Sequence, residues 1–248
     1  MSRAANLRSA IAISATLILV SLGFEIRSRI QIPTGWVGWP RSLAWLFAFV
    51  FSLFLVTSGT ALLWKTAVRL RRVRKFILGR TWIEGTWFVK TVEYLEDKRE
   101  ITRVGLAQFS YELPDLVLDC RVSSVMLATG DPIETKVTSI ILDDKLNYMH
   151  SFTRYVKNVQ EGGAAYGTFI CNDGKRAERY EGGVVLLNAE GKHNCRQTAV
   201  KLSEKEVRRI SKQYGSEWQQ RALHDSEWVS AYCKKYPPVS IAERFEDA

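Results

Sequence analysis

Two stretches without a charged side chain, Ser9–Phe24 and Ser42–Trp64, stand at the head of the chain and constrain what it can fold into. A helix needs about 20 apolar residues to cross the hydrocarbon of a bilayer, where no water satisfies a backbone left outside a helix. The second stretch meets that length, and Trp36, Trp39 and Trp64 flank it as interfacial aromatics do. A buried helix of a soluble protein is the competing reading, and an uncharged run of 23 residues argues against it. The first stretch is short for a span, although Arg8 can snorkel and lengthen it. It also has the layout of a secretory signal, with Arg3 and Arg8 ahead of it and Ser21-Leu22-Gly23 as a cleavage site. Residues 1–64 are therefore expected to form a two-helix transmembrane module, with cleavage of the first run as the alternative.

Charge sets the orientation. Lys65, Arg69, Arg71, Arg72, Arg74, Lys75 and Arg80 follow the second run with no acid among them, against Arg27, Arg29 and Arg41 in the connecting loop. The positive-inside rule then places everything from residue 65 onward in the cytoplasm. Residues 65–81 read as a basic juxtamembrane linker attracted to anionic membrane lipid. The net charge of +9 is confined to this part of the chain: residues 1–64 carry +4 and residues 65–80 carry +7, which leaves −2 on residues 81–248. A domain so near neutrality lacks the phosphate-neutralising footprint of a DNA or RNA binder, so no nucleic-acid polymer is expected as a partner. Cys120, Cys171, Cys195 and Cys233 are far apart and show no Cys-x-x-Cys spacing. Zinc and redox dithiols are thus unsupported, and a cytoplasmic location predicts reduced thiols.

From Trp82 the long apolar runs give way to short alternating ones. Strands are expected at Thr86–Leu95, Thr102–Leu113, Leu116–Ala128, Glu134–Leu142, Leu146–Lys157, Ala165–Asn172, Glu178–Asn188 and Cys195–Leu202, separated by turn signals such as Pro114-Asp115, Asp143-Asp144, Gly162-Gly163 and Glu190-Gly191. Eight strands joined by short turns read as an up-and-down meander, and closure into a barrel removes its edges. After residue 203 the pattern turns helical. Ser203-Glu204-Lys205-Glu206 is a capping box, Val207, Ile210 and Tyr214 share a face, and a second helical stretch covers Ser216–Lys235 before Pro237-Pro238. The fold class is thus a membrane-anchored all-β protein. It comprises two transmembrane helices, a linker over 65–81, an eight-stranded barrel over 82–203 and a helical tail over 204–248, which either caps a barrel mouth or packs between subunits.

Motifs of catalysis are missing: there is no P-loop, no His-Glu-x-x-His, no Gly-x-Ser-x-Gly and no dinucleotide fingerprint. The three histidines, His150, His193 and His224, have no metal-ligand spacing, and Asp143-Asp144 is the composition of a solvated turn. No enzyme activity, metal or cofactor is expected. Binding is better supported, since alternate residues of a small barrel face its lumen. Taking the even-numbered set on the later strands, Tyr148, His150, Tyr166, Thr168, Tyr180, Arg196 and Thr198 offer aromatic faces, hydroxyls and one guanidinium, a combination suited to a nucleotide.

The order of these features resembles a known family. The two-span module, the basic linker, Gly85-Thr86-Trp87, the Gln108 strand, Leu146-Asn147-Tyr148, Tyr166-Gly167-Thr168, Tyr180-Glu181-Gly182-Gly183 and Arg196-Gln197-Thr198 are similar to the two-transmembrane β-barrel effectors of bacterial CBASS antiphage systems. That resemblance implies a barrel that binds a cyclic dinucleotide or oligonucleotide, self-association on activation, and disruption of the bacterial inner membrane that kills the infected cell. The tail after Ser203 is longer than the family pattern. Two other functions compete: a membrane-tethered, lipocalin-like carrier or sensor of a small apolar ligand, and a scaffold with a filled barrel. Pocket polarity separates the first two, because a phosphate-bearing ligand needs an inward Arg or Lys.

Overall fold

A computed structural model describes residues 9–11, 13–18, 20–21, 41–94, 100–143, 145–156, 159–172, 176–188 and 191–236. The chain divides into two compact units, Met1–Leu78 with Glu112–Val117, and Gly79–Tyr111 with Leu118–Ala248.

In the first unit a short apolar helix, α1 (Ser9–Ile18), precedes α2 (Arg41–Ala67). Within α2 the segment Val50–Ala67 is long and apolar enough to cross a membrane, with a mean hydropathy of 1.3. Val50, Phe51, Phe54, Leu55, Leu62 and Leu63 are all exposed on it, an arrangement that water penalises and lipid does not. Its threonine hydroxyls are satisfied within the helix, Thr57 donating to the Leu53 carbonyl at 2.9 Å and Thr60 to that of Val56 at 2.8 Å. The loop with Trp36 and Trp39, and the first run beyond Ser21, lie outside the described residues. The basic linker is itself helical over α3 (Arg71–Leu78). Arg74 folds back to donate to the carbonyls of Val68 and Arg69 at 3.0 and 2.9 Å, placing a cation at the C-terminal end of α2. The tip of one barrel hairpin belongs to this unit, and there the Trp64 indole donates to the Pro114 carbonyl at 3.1 Å.

The second unit is the expected closed antiparallel barrel, its eight strands in sequence order. They are β1 (Gly85–Tyr94), β2 (Glu100–Glu112), β3 (Val117–Met126), β4 (Pro132–Leu142), β5 (Asn147–Val156), β6 (Val159–Asn172), β7 (Arg176–Asn188) and β8 (Gly191–Lys201). The chief departure is β6, which starts six residues early, because Gly162-Gly163 is strand and not turn. Gly163 pairs with Phe152, whose ring lies so close that a Cβ would meet its Cζ at 2.6 Å. Those glycines permit close approach, and the β5–β6 pairing continues to Val156 opposite Val159. At Asp143 the turn reading holds: its carboxylate accepts from the Lys145 and Asn147 amides at 2.9 and 2.8 Å.

The tail forms three helices, α4 (Glu204–Tyr214), α5 (Trp218–His224) and α6 (Ser226–Lys235). The capping box is present, with the Ser203 amide donating to Glu206 Oε2 at 2.9 Å. The single second stretch is divided at Asp225, whose carboxylate accepts from the Glu227 and Trp228 amides at 3.0 Å each and so starts a new helix. This tail lies on the outside of the barrel wall. Ile210, Leu223, Val229 and Tyr232 pack against Phe88, Val104, Leu106 and Val125, the outward residues of β1, β2 and β3.

Candidate functional site

Register decides which side chains meet inside the barrel. Partners in an antiparallel pair share a face, so the rows Tyr148–Gly167–Gly182–Gln197 and His150–Ala165–Val184–Cys195 both point inward. The inward set is therefore even on β5 and β7 but odd on β6, β8 and β1. Even-numbered residues cannot face the lumen on all four later strands, because a two-residue loop pairs residue i with i+3 and reverses the parity. Such loops join β5 to β6 and β7 to β8, where Asn188 pairs with Gly191.

Tyr148, His150 and Tyr180 accordingly line the lumen. Tyr166, Thr168, Arg196 and Thr198 belong to the outer wall, which corrects their expected direction. Tyr166 is 52% exposed, and its ring covers Gly183, where a Cβ would come within 2.7 Å of the hydroxyl. The Thr168 hydroxyl bonds the Asn147 side chain at 3.1 Å, Arg196 pairs in register with Val92 and Gly183, and Thr198 lines an external groove with Lys90 and Arg179.

Along its axis the lumen changes character. Where the chain enters from residues 79–84, it is plugged by Ile83, Trp87, Phe109, Tyr148, Phe169 and Tyr180, all buried. Their rings meet mainly edge to face, Tyr148 with Phe109 at 5.6 Å and with Tyr180 at 5.8 Å. The Trp87 indole is satisfied by the Ile83 carbonyl at 2.9 Å. Toward the other end, where β1, β3, β5 and β7 finish, the inward residues become polar and include two buried ion pairs. Arg103 Nη2 lies 2.5 Å from Glu93 Oε2, Arg154 bonds Glu161, and His193 Nδ1 lies 3.3 Å from Glu93 Oε1.

The two arginines, without their carboxylate partners, join Thr91, His150, Gln197 and the aromatic rings in lining a cavity of about 80 Å³. Several donors and acceptors there have no hydrogen-bond partner or only a weak one: His150 Nδ1 and the Tyr180 hydroxyl have none, Arg103 Nε and Nη1 have no oxygen or nitrogen acceptor and only the sulfur of Cys195 beside the guanidinium, and the Tyr148 hydroxyl meets only the sulfur of Cys120. Buried polar atoms are nearly always paired, so this concentration in one cavity is a place where a polar occupant gains several contacts. Burial pushes the His150 pKa down to about 4, so its ring is neutral at physiological pH, and pushes the Cys120 thiol up to about 12. Burial first, and then the neighbouring Arg103 charge, lower the Arg154 pKa, with Glu161 pulling the other way. The lumen thus offers cations, uncharged hydroxyls and an imidazole, and no thiolate nucleophile. Among the described residues no cluster of three His, Cys, Asp or Glu is arranged to hold a metal.

Arg103, Arg154, Glu93, Glu161 and Gln197 are lumen residues outside the expected set. Hairpin-loop length was the signal for Glu161 and Gln197, and Arg154 shares the parity of Tyr148 and His150 on β5. The sequence matches no protein-family model and no curated protein.

Proposed function

We propose that this chain is a membrane-tethered receptor for a small phosphate-bearing ligand, and that it acts as a cyclic-nucleotide-activated effector of antiphage defence. One observation carries the reading. Arg103 is buried inside the barrel, its Nε and Nη1 donors facing no oxygen or nitrogen acceptor and only the weak sulfur of Cys195 nearby, and Arg154 is buried in the same cavity. A carrier of apolar ligands has no use for two inward guanidiniums, whereas a phosphate does. The apolar, exposed α2 supports a tether in the inner membrane, with the barrel in the cytoplasm. Two apolar helices per protomer cannot enclose a pore, so harm to a bilayer requires several copies to associate.

The cavity of about 80 Å³ is far below the roughly 300–1,000 Å³ of a ligand pocket. Uptake of a cyclic dinucleotide therefore demands that the barrel widen, and only a ligand that favours the widened form can drive assembly. A scaffold with a filled barrel is favoured by one observation, the packing of the Phe109, Phe169 and Tyr180 rings around Tyr148. The experiment that separates them places the full chain in dye-loaded vesicles and adds cyclic dinucleotides and oligonucleotides. The effector reading expects leakage and an increase in oligomer size together. Tight binding with neither change would leave a tethered sensor, and no binding at all would leave the scaffold. Arg196→Ala, on the outer wall, is expected to bind as the wild type does.

A further inference from the structure

The two arginines of the lumen are held by carboxylates in an arrangement that suits a movable partner. β2 and β5 lie three strands apart in an eight-stranded barrel, so Arg103 and Arg154 point toward one another across the lumen, near enough for the charge of one to oppose that of the other. Each has one acid beside it: Glu93 on the strand next to Arg103, and Glu161 directly opposite Arg154 in the β5–β6 register. The four groups are all strongly buried. The set is neutral in sum, yet two like charges face each other and the Arg103 Nε and Nη1 donors face no oxygen acceptor, only the weak sulfur of Cys195 lying beside the guanidinium. Lone ion pairs in a core gain little over apolar residues of the same size, so two buried ion pairs whose arginines both line one cavity point to a third party. At about 30 Å³ per water the cavity of about 80 Å³ admits roughly two or three waters, which is the bulk of one tetrahedral oxyanion.

We propose that the polar end of the lumen is an oxyanion site. Arg103 and Arg154 receive a phosphate group of the ligand, and Glu93 and Glu161 are resident carboxylates that this group displaces. Thr91 and Gln197, which line the same cavity and are bonded to each other at 3.3 Å, complete it with neutral donors. The acids occupy the arginines until a better anion arrives, so they set a threshold for binding as well as keeping the empty barrel neutral. This assignment rests on the receptor reading above, and it adds to it which end of the lumen holds phosphate and what opposes entry.

The test uses the full chain in zwitterionic lipid nanodiscs, with inorganic phosphate and a cyclic dinucleotide as separate probes. Glu161→Gln removes the competitor of Arg154 and leaves a buried cation. It is expected to bind phosphate at least about tenfold more tightly than the wild type, and to gain more thermal stability from phosphate. The double variant Arg154→Gln/Glu161→Gln removes one charge of each sign, is expected to stay folded with a thermal midpoint near that of the wild type, and is expected to lose phosphate binding. Phosphate affinity in Glu161→Gln equal to or below that of the wild type would overturn the displacement, and retained binding in the double variant would overturn the site. Phosphate behaving as expected while cyclic dinucleotides neither bind nor cluster the protein would keep the site and reject the effector reading. Cyclic dinucleotide binding unaffected by the double variant would do the reverse.

Discussion

Replacing His150 by Phe should remove an acid sensitivity built into the barrel. The imidazole is buried on β5 between Tyr148 and Phe152, with ring centroids 5.1 and 5.4 Å away. Burial alone lowers its pKa from 6.5 to about 4. Below pH 6.5 the unfolded chain takes up a proton that the folded chain refuses until about pH 4. Stability is therefore complete above 6.5 and is lost as pH falls through that window. At ~1.36 kcal/mol per unit the whole gap amounts to about 3 kcal/mol, of which about 2 is already gone at pH 5. Against a total of roughly 5–15 kcal/mol for an ordinary domain, that share is easily measured. Phe keeps the ring volume and cannot titrate. It also removes Nδ1, which has no partner, so near neutral pH the variant should equal or exceed the wild type. Urea unfolding of the full chain in detergent, followed by tryptophan fluorescence at about pH 7.5, 6 and 5, supplies the comparison. Glu206 does not interfere, because its hydrogen bonds with Lys235 and Ser203 outweigh burial and hold its pKa down to about 2, which confines its loss to pH below 4.5. Equal loss of stability in wild type and His150→Phe between pH 7.5 and 5 would refute the reasoning.

Three further outcomes are expected. Gly182→Ala would put a Cβ 2.1 Å from the Tyr166 carbonyl oxygen and 2.7 Å from Gly167 Cα, so it should cost about 3 kcal/mol or prevent folding, whereas Gly162→Ala, with nothing within 4 Å, should change stability by less than about 1; similar thermal shifts for the two would contradict this account of strands β6 and β7. Phe88→Ala removes the ring held between Trp228 and Tyr232 at 5.8 and 5.6 Å, and should cost about 3–5 kcal/mol while raising hydrogen exchange in α4–α6 ahead of the barrel. Cys120, its thiol pushed up to about 12 by burial, should resist alkylation at mildly alkaline pH until the barrel is unfolded; rapid labelling of the native protein at that residue, read by mass spectrometry, would show the interior to be open.

Much of the fold was legible because it depends on local patterns. Each of the eight strands has the alternation and the β-branched or aromatic content that a pleated wall requires, and the meander follows from short connections. The capping box at Ser203 marks the start of α4 to the residue, since its two hydrogen bonds join Ser203 and Glu206, three positions apart in the sequence. What local patterns do not carry is the partner of an outward apolar residue. Phe88, Leu106 and Val104 read as ordinary strand residues, and only the folded chain shows that α4–α6 cover them, which is why the tail was expected at a barrel mouth or a subunit contact. Gly162-Gly163 misled for a related reason: glycine marks a turn when the backbone needs its freedom, and a close contact when a neighbour needs its space. The Phe152 ring that needs the space is nearby in sequence but met only through pairing.

The lumen was half legible, and the boundary falls on a rule of arithmetic. Alternation places Tyr148, His150 and Phe152 on one face of β5, and it places Arg154 with them two residues on. Carrying the same parity into β6 requires an odd number of residues in the connection, because paired positions on either side of an even loop have opposite parity. The β5–β6 and β7–β8 loops hold two residues each, so both reverse it. β6–β7 begins with Asn172 opposite Arg176, a three-residue loop that would preserve parity, and a bulge between Ile170 and Cys171 then reverses it as well. Three reversals across β5–β8 turn Tyr166, Thr168, Arg196 and Thr198 outward and bring Glu161, Cys195 and Gln197 inward. Loop length could have been read from sequence had the double glycine been given its second meaning. The bulge could not, since an extra residue in a strand leaves no trace in alternation until its partner strand is known. For the same reason Arg103 and Arg154, 51 positions apart in the sequence, become one site only when β2 and β5 are set across a closed barrel, which is a property of strand number rather than of any motif.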